Sequence, residues 1–156
     1  MLFRSLPQAP GSHAAFHPVP TVSLPTPEDS AAAFQAAIEK VCPGEPPIFD
    51  LMVLGLGEDG HTASLFPGTE APTVTDRWTT VGRGKGLERI TLTAPVLSAS
   101  RQVIFLVSGA GKAQALARLL DPAESPQRTP AKLVTPRTEV LVLADEAALA
   151  GGAAAG

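Results

Sequence analysis

A single cysteine, Cys42, stands among 156 residues. It can close no internal disulfide and has no second thiol for a thiolate metal cluster, so a reducing compartment is expected. Cys42 reads as a small packing residue near a helix end. Positive charge is not in excess: 12 Lys and Arg stand against 15 Asp and Glu, a formal charge of −3, which argues against nucleic acid as a partner. No apolar stretch is long enough to span a bilayer, and the opening Met-Leu-Phe-Arg-Ser-Leu-Pro lacks the apolar core and cleavage site of a secretory signal. The expectation is a cytoplasmic protein with no membrane partner. Charged residues are sparse at 17%, yet apolar ones reach 44%, enough for a folded core and unlike a disordered chain. The length is that of one ordinary domain.

Proline organises the start. Six prolines (Pro7, Pro10, Pro18, Pro20, Pro25, Pro27) fall in residues 1–27, each fixing φ and removing a donor, so residues 1–26 read as an extended lead-in. Thr26-Pro27-Glu28-Asp29 supplies an N-cap, a proline at the first helical position and acids in the first turn. Ala31, Phe34, Ile38 and Val41 then recur at helical spacing, predicting a helix over 27–41 that ends at Pro43-Gly44. The apolar run from Phe49 to Leu54 predicts a strand covered on both faces, Ile90 to Thr93 a half-buried strand, and Gln102 to Val107 another strand. A short helix is expected over Pro95 to Ser100. A longer one is expected from the Ser108-Gly109-Ala110-Gly111 turn to about Leu120, with Ala113, Leu116, Leu119 and Leu120 on one face. Glu139 to Leu143 reads as a last strand, Asp145-Glu146 opens a short helix, and residues 151–156 form a tail of small residues. Strands separated by helices predict an α/β fold with a mainly parallel sheet over residues 27–150, whose ligands lie at the carboxyl ends of the strands. Two glycine loops, after Leu54 and after Val107, leave such ends.

The first loop, Gly55-Leu56-Gly57-Glu58-Asp59-Gly60-His61-Thr62, fits both a G-x-G-x-x-G frame and a phosphate-loop frame lacking its Lys. A phosphate cradle aims N–H groups and a cation at anionic oxygens, whereas this loop carries Glu58 and Asp59 and has His61 where the Lys belongs. A dinucleotide fold also needs a full helix after the loop, and Phe66-Pro67-Gly68 stops one early. What the loop offers is an imidazole, expected at the start of a helical turn, with a carboxylate two residues before it. That pair suits proton transfer, and N–H groups at a helix start suit a developing oxyanion. The plain alternative is that Asp59-Gly60 is a tight turn and His61 an ordinary helix residue.

The longer string weighs against the plain alternative. Phe49 through Gly68, with its Gly-x-Gly-x-Asp-Gly-His-Thr-Ala-Ser-Leu-Phe-Pro-Gly core, resembles the signature of 6-phosphogluconolactonases. Phe16-His17-Pro18-Val19-Pro20-Thr21 is similar to that family's His-Pro-x-Pro-Thr segment, and Arg89-Ile90-Thr91-Leu92-Thr93 to its Arg-Ile-Thr-Leu-Thr strand. Val107-Ser108-Gly109-Ala110-Gly111-Lys112-Ala113 is similar to its Val-x-Gly-x-x-Lys-Ala turn. The resemblance runs from about Leu2 to Ala148 and implies the C-terminal portion of a phosphogluconolactonase-like domain. Glucosamine-6-phosphate deaminases of the same superfamily follow the shared core with Ile-Ala-Phe-Asn-Glu. Their acid, which assists an amine leaving group, is absent from Thr62-Ala63-Ser64-Leu65-Phe66, so lactone hydrolysis is the better fit.

The resemblance implies that His61 is the general base for water attacking the carbonyl of a phosphorylated sugar lactone, that Asp59 supports the imidazole, and that Gly57, Gly60 and Thr62 bound the substrate. It implies no metal or organic cofactor, in keeping with three His and one Cys at no recognisable ligand spacing. His13 reads as solvated and His17 as a turn or packing residue. The substrate phosphate needs cations, for which Lys112 at a strand-to-helix turn and Arg89 are the candidates. Ser64 lacks a Gly-x-Ser-x-Gly elbow and reads as part of a helical turn, while Phe66 and Trp78 read as packing residues. One departure stands out: the family's Gly-Gly-Ser-Thr-Pro phosphate loop and Asp-Glu-Arg motif, which precede the His-Pro-x-Pro-Thr segment, are missing. The expectation is an N-terminally truncated chain that is marginally stable, self-associates or needs a complementing N-terminal chain, with doubtful activity alone. A catalytically inactive fold remnant or interaction module is the competing reading, and a sugar-phosphate deaminase the third.

Overall fold

The computed structural model describes residues 15–21 and 23–150. Those of the lead-in that are described form no helix or strand, while His13 and residues 151–156 lie outside the described residues. Helix α1 (Pro27–Val41) begins where the capping chemistry predicts: Thr26 Oγ1 accepts from the Asp29 N–H at 3.0 Å, with Glu28 and Asp29 in the first turn. Its stripe buries Ala31 and Ile38, but Val41, at the last turn, stays exposed.

Five strands form two sheets. They are β1 (Met52–Gly55), β2 (Thr79–Gly84), β3 (Leu87–Leu92), β4 (Val103–Val107) and β5 (Val140–Ala144). The three apolar runs β1, β4 and β5 make a parallel sheet in the order β1-β4-β5, with Leu54 beside Phe105 and Phe105 beside Val142. Strands β2 and β3 pair antiparallel as a separate hairpin. The hairpin docks on α1 through Thr79 Oγ1, which donates to Ala31 O at 2.7 Å, and through the Trp78 N–H, which donates to Gln35 Oε1 at 3.0 Å. Trp78 is half-buried there, as a packing residue should be. Helices α2 (Ala94–Ala99), α3 (Ala113–Leu120) and α4 (Glu146–Leu149) complete the domain.

The core gathers Leu54, Leu56, Leu65, Leu97, Val103, Phe105, Val107 and Leu116 against one face of the parallel sheet. Each such large side chain contributes roughly 1.5–3 kcal/mol by leaving water. The expectation that β1 is covered on both faces is corrected: Val53 is 52% exposed, and Leu106, Leu141 and Leu143 stand exposed beside it. Strand alternation sends Val53, Ile104 and Leu141 to the outer face, and the register aligns Leu106 with Leu143 there. On α3, Ala113 and Leu116 are buried and Leu119 packs partly on the core, while Leu120 is exposed because it closes the helix outside the stripe.

Gly55 pairs with Leu106 in parallel register, so the loops after β1 and β4 leave the same sheet edge as neighbours. Asp145, after β5, ties the second loop down by accepting from Ser108 Oγ at 2.6 Å and from the Gly109 N–H. With a further bond from the Ala148 N–H at 2.8 Å, these hold its carboxyl below the ordinary range, the Ser108 hydroxyl first and the N–H groups of Gly109 and Ala148 next.

Candidate active site

The segment after β1 is a closed loop rather than the start of a helix, which corrects the helical turn expected at His61 and Ser64. Thr62 and Leu65 form an isolated antiparallel bridge, and Ala63 sits at φ 48°, a left-handed conformation that no helix accommodates. Leu65 and Phe66 bury their side chains in the core and anchor the loop from below. Leu56 does the same from the other end.

Within the loop the backbone satisfies itself. The Gly57 N–H donates to His61 O at 2.8 Å, and the Gly60 N–H to Gly57 O at 2.9 Å. Thr62 is 1% exposed and donates its hydroxyl to Gly55 O at 2.8 Å, so its contribution is to hold the loop against β1. Gly60 takes φ 89° against Thr129, and its carbonyl accepts from the Ala131 N–H at 3.0 Å. A Cβ on Gly57 would overlap the imidazole of His61 and crowd Asp59, so only glycine leaves room for that pair.

His61 Nδ1 is in short hydrogen-bond contact with Asp59 Oδ1, and the His61 backbone N–H donates to the same oxygen at 3.2 Å. Burial pushes the Asp59 carboxyl up, but hydrogen bonds from the imidazole and backbone of His61, with the charges of His61 and Lys85, outweigh it and leave the carboxyl below its ordinary range. An ionised carboxylate only accepts, so Nδ1 is the donor in that bond, and in the neutral imidazole the lone pair then lies on Nε2. The side chain of His61 is 18% exposed, and its ring packs on Phe66 with centroids 4.4 Å apart. Phe66 is therefore a packing residue with a role at the site: it fixes one face of the imidazole.

The two candidate cations are placed differently. Arg89, on β3, lies over the other participant in that stack, 5.2 Å from the Phe66 centroid. Lys112 closes a tight 3-10 turn (Ala110–Lys112) ahead of α3, and its N–H is spent on Gly109 O at 3.0 Å, so only its side chain is available to a ligand. That turn abuts the His61 loop, since a Cβ on Gly111 would come within 2.8 Å of Glu58 Oε1. Among the described residues neither Arg89 nor Lys112 has an ion-pair partner. Sequence reasoning missed two residues. Arg118 of α3 donates from Nη2 to Glu58 O at 3.1 Å, and Lys85 Nζ lies 3.7 Å from Asp59 Oδ2. Neither position carries a motif, and only the packing of α3 and of the hairpin against the loop reveals them.

A cavity of about 470 Å³ lies at the opposite, amino edge of the parallel sheet, lined by Ile48, Ser100, Arg101 and Arg137 among others. It holds no base. Among the described residues no group of three His, Cys, Asp or Glu could hold a metal ion, and no helix is long and apolar enough to cross a membrane.

Comparison with known proteins decides the family. The family model described as glucosamine-6-phosphate isomerases/6-phosphogluconolactonase matches residues 1–143. The chain belongs to this family. It is 45% identical over 138 residues to the 6-phosphogluconolactonase of Synechocystis sp., covering 86% of this chain and 57% of that protein. It is 42% identical over 128 residues to the 6-phosphogluconolactonase of Rattus norvegicus, covering 78% and 48%. The solved 6-phosphogluconolactonase of Trypanosoma brucei superposes with a TM-score of 0.68 at 30% identity, over 77% of this chain and 51% of that one. The chain thus spans about half the length of the curated relatives it matches. Its fold is the α/β fold of these phosphogluconolactonases, with a mainly parallel sheet.

Proposed function

We propose that the chain carries the hydrolytic centre of a 6-phosphogluconolactonase, a carboxylic ester hydrolase acting on 6-phospho-D-glucono-1,5-lactone. The observation that carries this reading is the His61–Asp59 pair at the carboxyl edge of the parallel sheet. With Nδ1 engaged by Asp59, Nε2 of His61 removes a proton from water as its oxygen attacks the lactone carbonyl. The tetrahedral oxyanion then collapses, the bond from the carbonyl carbon to the ring oxygen breaks, and the imidazolium returns its proton to that oxygen, giving the open-chain 6-phosphogluconate. Asp59 steadies the imidazolium between these two transfers, acting through His61 as a positioning residue.

The N–H groups of Gly57, Gly60 and His61 are spent inside the loop, so stabilisation of the oxyanion falls to the loop's remaining N–H groups or to a nearby cation. Lys112 and Arg89, which have no carboxylate partner among the described residues, are assigned to the anionic parts of the substrate. Gly57, Gly60 and Thr62 serve the substrate by shaping the loop that presents His61. No metal or organic cofactor enters this scheme, and the cytoplasm is its proposed setting.

The test is acid release from freshly made 6-phosphogluconolactone by the purified chain, measured against spontaneous opening. A rate above background supports the reading, and ammonia release from glucosamine 6-phosphate would instead support a deaminase. A second reading, a fold remnant or interaction module that self-associates or binds a complementing N-terminal chain, draws on the exposed apolar residues Val53, Leu106, Leu141 and Leu143. It predicts no rate above background and no melting shift with 6-phosphogluconate, whereas a ligand-induced shift counts against it.

A further inference from the structure

The β2–β3 hairpin is fitted to the His61 loop with little tolerance. A Cβ on Gly82 would collide with the Ser64 carbonyl, and one on Gly84 would overlap the Phe66 ring, so β2 lies directly on the segment that follows His61. The hairpin turns through two residues, Lys85 and Gly86, between the paired Gly84 and Leu87. Both have left-handed φ, 54° and 73°, the pattern of a type I′ turn, whose first position favours Asn, Asp or Gly. Lysine is a costly occupant of that position. Its ammonium reaches 3.7 Å from Asp59 Oδ2, the carboxylate oxygen left over by His61.

The hairpin's other cations make their contacts away from Asp59. Arg83 donates to Glu88 Oε1 at 2.9 Å and pairs with Glu28 of α1, while Arg89 lies over Phe66. The charged groups on the elements packed around the His61 loop include Asp59 and Glu58 from the loop itself, Lys85 and Arg89 from the hairpin, Arg118 of α3, and Lys112 of the turn ahead of it. Of these, Lys85 is the cation in direct contact with the carboxylate that His61 uses.

We propose that Lys85 is a positioning residue that grips the second oxygen of Asp59 and opposes protonation of His61. Asp59 alone would favour the imidazolium, which is useful during turnover but removes the free base at rest. A cation on the far side of the same carboxylate offsets that pull and holds the carboxylate oriented toward Nδ1. Its catalytic consequence rests on the reading of His61 as general base, whereas its electrostatic part does not.

Lys85→Asn separates turn geometry from charge, because Asn suits the left-handed position and removes the ammonium. The experiment is an NMR titration of the His61 imidazole in the wild type, Lys85→Asn and Lys85→Arg, with melting temperature and lactone hydrolysis followed alongside. The expected result is a higher melting temperature for Lys85→Asn together with a His61 midpoint moved to higher pH, and a wild-type midpoint for Lys85→Arg. In hydrolysis, kcat/KM of Lys85→Asn falls about two- to fivefold at pH 6, the size of an exposed ion pair, and converges with wild type above pH 8. An unmoved His61 midpoint in Lys85→Asn overturns the inference whatever the rates do. A raised KM with an unchanged pH profile overturns it too, making Lys85 a substrate contact. A moved midpoint in a chain that hydrolyses no lactone supports the inference while defeating the proposed activity.

Discussion

Phe105 and Leu106 are neighbours on β4, yet the first is 1% exposed and the second 51%. Strand alternation is the reason: Val103, Phe105 and Val107 face the helices, while Leu106 joins Val53 and Leu143 on the outer face. The His61 loop hangs from the covered side, where Leu54, Leu56, Leu65 and Phe105 share one core. The imidazole proposed to carry the chemistry therefore rests on the covered side of the sheet. The outer half is equally apolar but contributes little to holding the loop in place.

The sharpest way to break this contrast is to empty the covered side. Phe105→Ala removes a fully buried ring and is expected to cost about 3–5 kcal/mol in denaturant unfolding, taking the His61 loop with it. Gly57→Ala attacks the same loop from within, because the added methyl overlaps the imidazole. We expect about 1–3 kcal/mol of destabilisation and loss of the short His61–Asp59 hydrogen bond, visible as a shifted imidazole proton resonance.

An acid titration sharpens the contrast at smaller scale. Asp59 has a depressed pKa in the folded chain, so its contribution to stability is present above the unfolded value, about 3.9, and is lost as pH falls through the lower folded value. The gap in melting temperature between wild type and Asp59→Asn should therefore hold at neutral pH and close below about pH 4. The smallest effect is expected on the open side: Leu106→Ser should change stability by no more than about 0.5 kcal/mol, since its side chain is already half in water. A loss as large as that of Phe105→Ala would show that the outer face is covered.

The helix at 27–41 and the parallel strands were legible because their signals are local. Thr26-Pro27 and the following acids mark a helix start, and unbroken apolar runs mark β1 and β4. Strand β2 was not legible, because Thr79–Gly84 carries two glycines and an arginine in place of alternation. Those glycines answer to Ser64 and Phe66, residues distant in sequence. The same holds at the site. His61 and Asp59 were readable from the loop string, whereas Lys85 and Arg118 reach it only through tertiary packing. The misread helical turn at His61 has a physical cause as well: Ala63 adopts its left-handed φ without any glycine or asparagine to announce it. Coverage of β1 is likewise a property of what packs against it, which its own residues cannot encode.

One nitrogen, Nε2 of His61, is the base proposed to activate water. The measurement that tests it most directly is lactone hydrolysis by wild type and by a folded His61→Ala chain across pH 5–9. We predict a rate above spontaneous opening that falls on the acid side, as the imidazole takes up a proton, and a loss of about 10²–10⁴-fold in His61→Ala. An excess rate that survives in His61→Ala with its pH profile unchanged would contradict the account.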